Sequence, residues 1–124
     1  NDHPLSGCLD NDLEALSQYP WCLPPKGVPL RDSWEQMFVS AGLNAPGVHV
    51  ECGSASTLRQ ILMQTDYLTV LSPDQVAAEL QANWVKVVGK TSEEMRRTIG
   101  LTYRENWRPT QAQREFMQIL RRVT

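Results

Sequence analysis

The sequence predicts an α/β fold around a largely parallel sheet. Three observations carry that expectation: short apolar runs of strand length at residues 21–23, 48–52 and 67–71, a helical apolar stripe between the first two, and helix-start signals after each run. With 124 residues the chain makes one domain, large enough to bury roughly two-thirds of the surface its unfolded form exposes.

Residues 1–19 read as a loop holding a short helix, which Asp10 would cap and in which Leu13 and Leu16 form the apolar pair. Trp21, Cys22 and Leu23 then form a short buried strand that ends at Pro24 and Pro25. Pro29 suits the first position of a helix, where its missing N–H is no loss. Leu30, Trp34, Met37, Phe38 and Ala41 follow as one stripe, and Gly42 stops the helix. Residues 48–52 alternate like a strand, and Gly53 and Ser54 turn the chain into a helix with Leu58, Ile61, Leu62 and Thr65 on one face.

Residues 67–71 are nearly continuous in apolar character, as for a parallel strand covered on both sides. Ser72, Pro73, Asp74 and Gln75 are a strong helix start, combining a cap, a proline at the first helical position and a capping-box glutamine. Residues 84–88 and 98–103 read as two further strands joined by a polar turn. Thr110 and Gln113 form a second capping box before a last helix striped by Ala112, Phe116, Ile119, Leu120 and Val123. That stripe needs cover, from a neighbouring copy or from the sheet.

A net charge of −2 provides no global field for a polyanion, which argues against DNA binding by this chain alone. Lys and Arg concentrate after Trp84, but Glu93, Glu94, Glu105 and Glu115 dilute them, so this half reads as a solvated or interdomain face. Cys8, Cys22 and Cys52 are odd in number and widely spaced, which fits reduced thiols in a cytoplasmic protein. His3 and His49 have no ligand spacing to cysteines or carboxylates, so no metal is expected. No apolar run spans a bilayer and nothing marks export.

In parallel sheets the ligand crevice lies beyond the carboxyl ends of the strands. Three strand-to-helix junctions would meet there, at residues 24–30, 53–57 and 72–75. Each offers free backbone N–H groups with small or hydroxyl side chains, a setting for a carboxylate, and Lys26 and Arg59 are candidates to add charge. Most Ser and Thr at such places are caps, which is the competing reading of Ser54, Ser56, Thr57 and Ser72. Nucleophile elbows and Gly-rich phosphate loops are absent, and Glu93 and Glu94 sit in a polar turn, so neither an enzyme nor a cofactor is expected.

A longer pattern runs through the chain: His3-Pro4-Leu5, Tyr19-Pro20-Trp21, Pro24-Pro25 and Gly27-Val28-Pro29-Leu30-Arg31, then Glu51, Ser54, Leu58-Arg59, residues 66–72 and residues 97–102. In this order it resembles the C-terminal part of the effector-binding region of LysR-type bacterial transcription regulators. The likeness is strongest to the branch that includes regulators of galactose-binding protein and of aromatic-acid catabolism. Met63-Gln64-Thr65-Asp66 stands where many members have a Gly-rich turn, which fits that branch.

The resemblance implies a periplasmic-binding-protein-like fold of type 2, of which residues 1–108 are the second subdomain with a hinge strand. Residues 109–124 would be a C-terminal helix packing on a first subdomain. It also implies an effector bound between subdomains, for which the junctions suggest a small acidic molecule, a carboxylate or sugar acid, and DNA contacted only through a separate winged helix-turn-helix in a homodimer or homotetramer. Candidate effector contacts are Gly27, Val28, Pro29 and Leu30, to which the crevice argument adds Ser54, Thr57 and Ser72. A piece of a periplasmic solute-binding protein, or an oligomerisation module without a ligand, are the alternatives.

Overall fold

The computed structural model describes residues 3–6, 12–91, 95–96 and 100–123, with the backbone alone at 123. In order, it has α1 (Leu13–Ser17), β1 (Trp21–Leu23), α2 (Pro29–Ser40), β2 (Val48–Glu51), α3 (Ala55–Gln64), a 3₁₀ turn (Pro73–Val76), α4 (Ala77–Gln81) and α5 (Gln111–Val123).

Strands β1 and β2 pair in parallel, with Trp21 opposite Val48, Cys22 opposite Val50 and Leu23 opposite Glu51, and a bulge between the first two pairs. The crossover between them is α2, as parallel pairing requires. On the other flank of β1, Leu68 makes a single parallel bridge to Trp21, with its N–H donating to Pro20 O at 2.8 Å and its O accepting from Cys22 N at 2.9 Å. All three residues of β1 are buried, so this short strand is the centre of the sheet.

Helix α2 is fastened by its aromatic stripe. Trp34 and Phe38 are fully buried, their rings 5.2 Å apart, and Trp21 of β1 lies 5.2 Å from Trp34 and 6.1 Å from Phe38. Such tilted and edge-on pairs add to the area they bury. Leu16, Leu23, Met37 and Leu68 complete the core, and the Trp21 indole donates to Leu16 O at 3.1 Å, tying α1 to the strand. The helix closes with Gly42 at φ 75°, Gly42 N donating to Val39 O and Leu43 N to Phe38 O, both at 2.9 Å. This is a Schellman closure in which Leu43 packs back on the core.

Several expectations are corrected. Asp10 lies outside the described residues, and the cap of α1 is Asp12, which accepts from Ala15 N at 2.8 Å. Among the described residues, 67–71 pair through Leu68 alone, and Tyr67 to Leu71 line a cavity of about 500 Å³.

Residues 84–88 form no strand: Asn83 is left-handed at φ 57°, and Trp84 N donates back to Glu79 O at 2.9 Å while Asn83 N reaches Leu80 O at 3.1 Å. The start of that run therefore closes α4 as a second Schellman motif. Of residues 98–103, 98 and 99 lie outside the described residues and 100–103 carry no strand.

The capping box of α5 forms, with Thr110 N donating to Gln113 Oε1 at 2.9 Å and Gln113 N to Thr110 Oγ1 at 3.4 Å. Its stripe does not reach the sheet; Phe116 and Ile119 remain 60% and 56% exposed. The helix instead borders a groove of about 400 Å³ with Leu101, Tyr103 and Trp107.

The aromatic core sets a stability expectation. Phe38→Ala should cost about 3–5 kcal/mol in urea unfolding, as for a fully buried large-to-small change, whereas Val39→Ala on the exposed face should stay within about 0.5 kcal/mol.

Candidate functional site

The carboxyl ends of β2, β1 and the residue-68 segment lie side by side in that order, so the three junctions issue from one end of the sheet. Residues 24–30 leave β1 through Gly27, whose φ of 84° is left-handed, and enter α2 behind Val28 as N-cap. Val28 has no capping side chain, Pro29 has no N–H, and Arg31 N and Asp32 N both donate to Val28 O, at 2.8 and 3.2 Å. Gly27, Val28 and Pro29 are exposed and Leu30 half-buried.

At the second junction Cys52 N donates to Leu23 O at 2.8 Å, holding the end of β2 against the end of β1. Ser54 caps α3: its Oγ accepts from Thr57 N at 3.4 Å and from Thr57 Oγ1 at 3.2 Å, and lies 3.0 Å from Ser56 Oγ. The hydroxyls of Ser54 and Thr57 are thus engaged with one another while remaining exposed. Ser72 opens the 3₁₀ turn, its N–H donating to Gln75 Oε1 at 3.3 Å and its O accepting from Gln75 N at 3.0 Å.

Of the two cations proposed to add charge, Lys26 is exposed in the first junction. Arg59 instead donates to Glu79 Oε1 at 3.0 Å and to Ala55 O at 3.3 Å. That bond, and secondarily a backbone hydrogen bond, holds the Glu79 carboxyl below its ordinary range. Burial pushes the Cys22 thiol up, with neighbouring Cys52 acting in the same direction.

Sequence reasoning did not single out Arg31 as a site residue. It is 5% exposed, and its guanidinium reaches the first junction and the end of β2: Nε donates to Glu35 Oε1 at 2.7 Å, Nη1 to Pro24 O at 3.4 Å, and Nη1 lies 3.5 Å from Glu51 Oε1. It also sits over the Trp34 ring, 5.4 Å from its centre. The signal available in the sequence was an arginine inside an apolar helical stripe, four residues before a glutamate.

The 500 Å³ cavity is elsewhere, lined by core residues such as Trp21, Met37 and Leu68 and by residues 84–91, and by none of the seven candidate contacts. Its walls continue the hydrophobic core, whereas the strand-end surface gathers polar groups from separate elements. Among the described residues no group of three or more His, Cys, Asp or Glu is placed to hold a metal, and no helix is long and apolar enough to cross a membrane.

The family model described as the LysR substrate binding domain matches residues 1–124. The chain belongs to that family. A LysR substrate-binding domain is a periplasmic-binding-protein-like fold of type 2, in keeping with the parallel strands and crossover helix described above. Among curated proteins the domain is similar to the HTH-type transcriptional regulator GalR of Pseudomonas putida, with 30% identity over 111 residues. The match covers 90% of this chain and 28% of that regulator's length. No solved structure matches.

Two measurements test how the domain holds its junctions. Ser54→Ala should lower stability by about 0.5–2 kcal/mol in denaturant unfolding and Ser54→Gly by only a few tenths, as for a cap.

The depressed carboxyl of Glu79 gives a sign for pH dependence. Its stabilisation is fully present above the ordinary value of 4.5 and is lost as pH falls through the lower folded-state value. Between about pH 7 and about pH 3 the melting temperature of the wild type should therefore fall further than that of Glu79→Gln.

Proposed function

We propose that this domain is the ligand-sensing part of a LysR-type transcription regulator, binding a small acidic effector at the carboxyl ends of its parallel strands. One observation carries the reading: β2, β1 and the residue-68 segment all deliver their helix-opening junctions to one end of the sheet, and those junctions present exposed backbone and hydroxyl groups. The contacts are Gly27, Val28, Pro29 and Leu30, with Ser54, Thr57 and Ser72 at the neighbouring junctions. The surface is an open half-site, which fits a cleft whose second wall is another subdomain. In this reading residues 1–108 are the second subdomain with its hinge, and residues 109–124 pack on the first. The 60% exposure of Phe116 on α5 supports that assignment.

The effector closes the two subdomains, and a separate helix-turn-helix in a cytoplasmic homodimer or homotetramer reads the DNA. No covalent chemistry is involved. A sensor needs only different affinities for its two states, a coupling of about 1–3 kcal/mol. The relative's printed name, a transcriptional regulator, agrees with this role.

A thermal-shift screen of small carboxylates, aromatic acids and sugars against the intact effector region tests it. A ligand at about a hundred times its dissociation constant should add about 2.7 kcal/mol of stability. The shift should vanish when Val28 and Leu30 are replaced by glutamate. A hit that survives those changes would place the site elsewhere, and no acidic hit over a broad panel would remove the carboxylate class.

A further inference from the structure

Arg31 meets two carboxylates on unequal terms. Glu35 lies one turn further along the same helix, and its Oε1 accepts a 2.7 Å hydrogen bond from Nε. Glu51 belongs to the end of β2; its Oε1 stands 3.5 Å from Nη1, and its side chain is 48% exposed while that of Arg31 is 6% exposed. The first contact is local to α2 and close. The second crosses between elements, is longer, and faces water, where ion pairs are weak.

A guanidinium carries five N–H donors. Nε is engaged by Glu35 and one Nη1 donor by Pro24 O, and Glu51 stands beside the same Nη1. A planar anion received by two parallel hydrogen bonds on the Nη1–Nη2 edge uses an Nη1 donor, and so meets Glu51 there. Two carboxylates already flank this one cation, and a third anion at Nη1 meets the repulsion of Glu51, the more weakly held of the two.

We infer that Glu51 is an internal counter-ion that the anionic group of the effector displaces from Arg31, an inference that rests on reading residues 24–30 as the effector site. Glu51 then sets selectivity. A neutral ligand lacks the charge to compete for the guanidinium, and an anion that does compete releases the one contact of Glu51 with Arg31 between the end of β2 and α2.

The test is calorimetric titration of the full-length protein with benzoate and citrate, an aromatic and an aliphatic carboxylate, and with benzamide as the uncharged counterpart. Glu51→Gln keeps the shape of the half-exposed side chain and removes its charge. It should tighten binding of at least one carboxylate about fivefold and leave benzamide unchanged. Arg31→Gln should abolish the preference for benzoate over benzamide, Arg31→Lys should restore part of it, and Glu14→Gln on α1 should match the wild type.

Unchanged or weaker carboxylate binding by a folded Glu51→Gln protein would overturn the inference, as would no carboxylate binding by either the wild type or that variant. If a ligand binds through Val28 and Leu30 but is insensitive to Glu51 and Arg31, the exchange is wrong and the effector site stands. If carboxylates respond to Glu51 and Arg31 but not to Val28 and Leu30, the exchange stands and the site reading must move.

Discussion

The contact of the Trp34 ring with Trp21 and Phe38 is the interaction on which the remaining architecture depends. Strand β1 has only three residues, and a ladder of that length has little stability of its own. Packing α2 across it turns the strand into the middle of a core, and the Trp21 indole extends the attachment to α1 through its hydrogen bond to Leu16 O. Once β1 is fixed, β2 on one side and Leu68 on the other have a template, and the three junctions acquire a common end. The common end of the three junctions is thus a consequence of how tightly one helix is seated.

The same seating explains why a charged residue is tolerated beside the core. Arg31 lies one turn before Trp34 and two before Phe38 on the buried face of α2, and its burial is offset by a carboxylate one turn on, a backbone carbonyl, and the face of the indole it covers. A lysine at this position would retain charge without the forked donor set. The helix therefore serves both layers of the molecule, contributing aromatic rings to the interior and a guanidinium to the edge where the strands end.

Much of this was legible in the sequence, for physical reasons that differ by element. Helix α2 announced itself through Pro29, a spaced apolar stripe and Gly42, all local signals. The capping boxes at Ser72 and Thr110 were equally readable, because each is completed within four residues. Strands are nonlocal. Residues 84–88 have strand composition, yet the amides of Trp84 and Asn83 close α4, which no apolar pattern reveals. At the candidate site, the junction residues followed from topology and from the family pattern, but the part played by Arg31 depended on Glu51 arriving from another element, twenty positions away.

The indole of Trp34 has a further property that follows from its place under Arg31. It is excluded from solvent, its Nε1 has no hydrogen-bond partner among the described residues, and a formal positive charge lies 5.4 Å from the centre of its ring. The excited state of an indole shifts electron density across the bicyclic ring, so its emission energy responds to the field along that direction. Rearrangement of charge around the guanidinium would be written into the colour of the light this residue emits. The domain therefore contains, in its own core, an optical gauge of the electrostatics at the edge of its sheet.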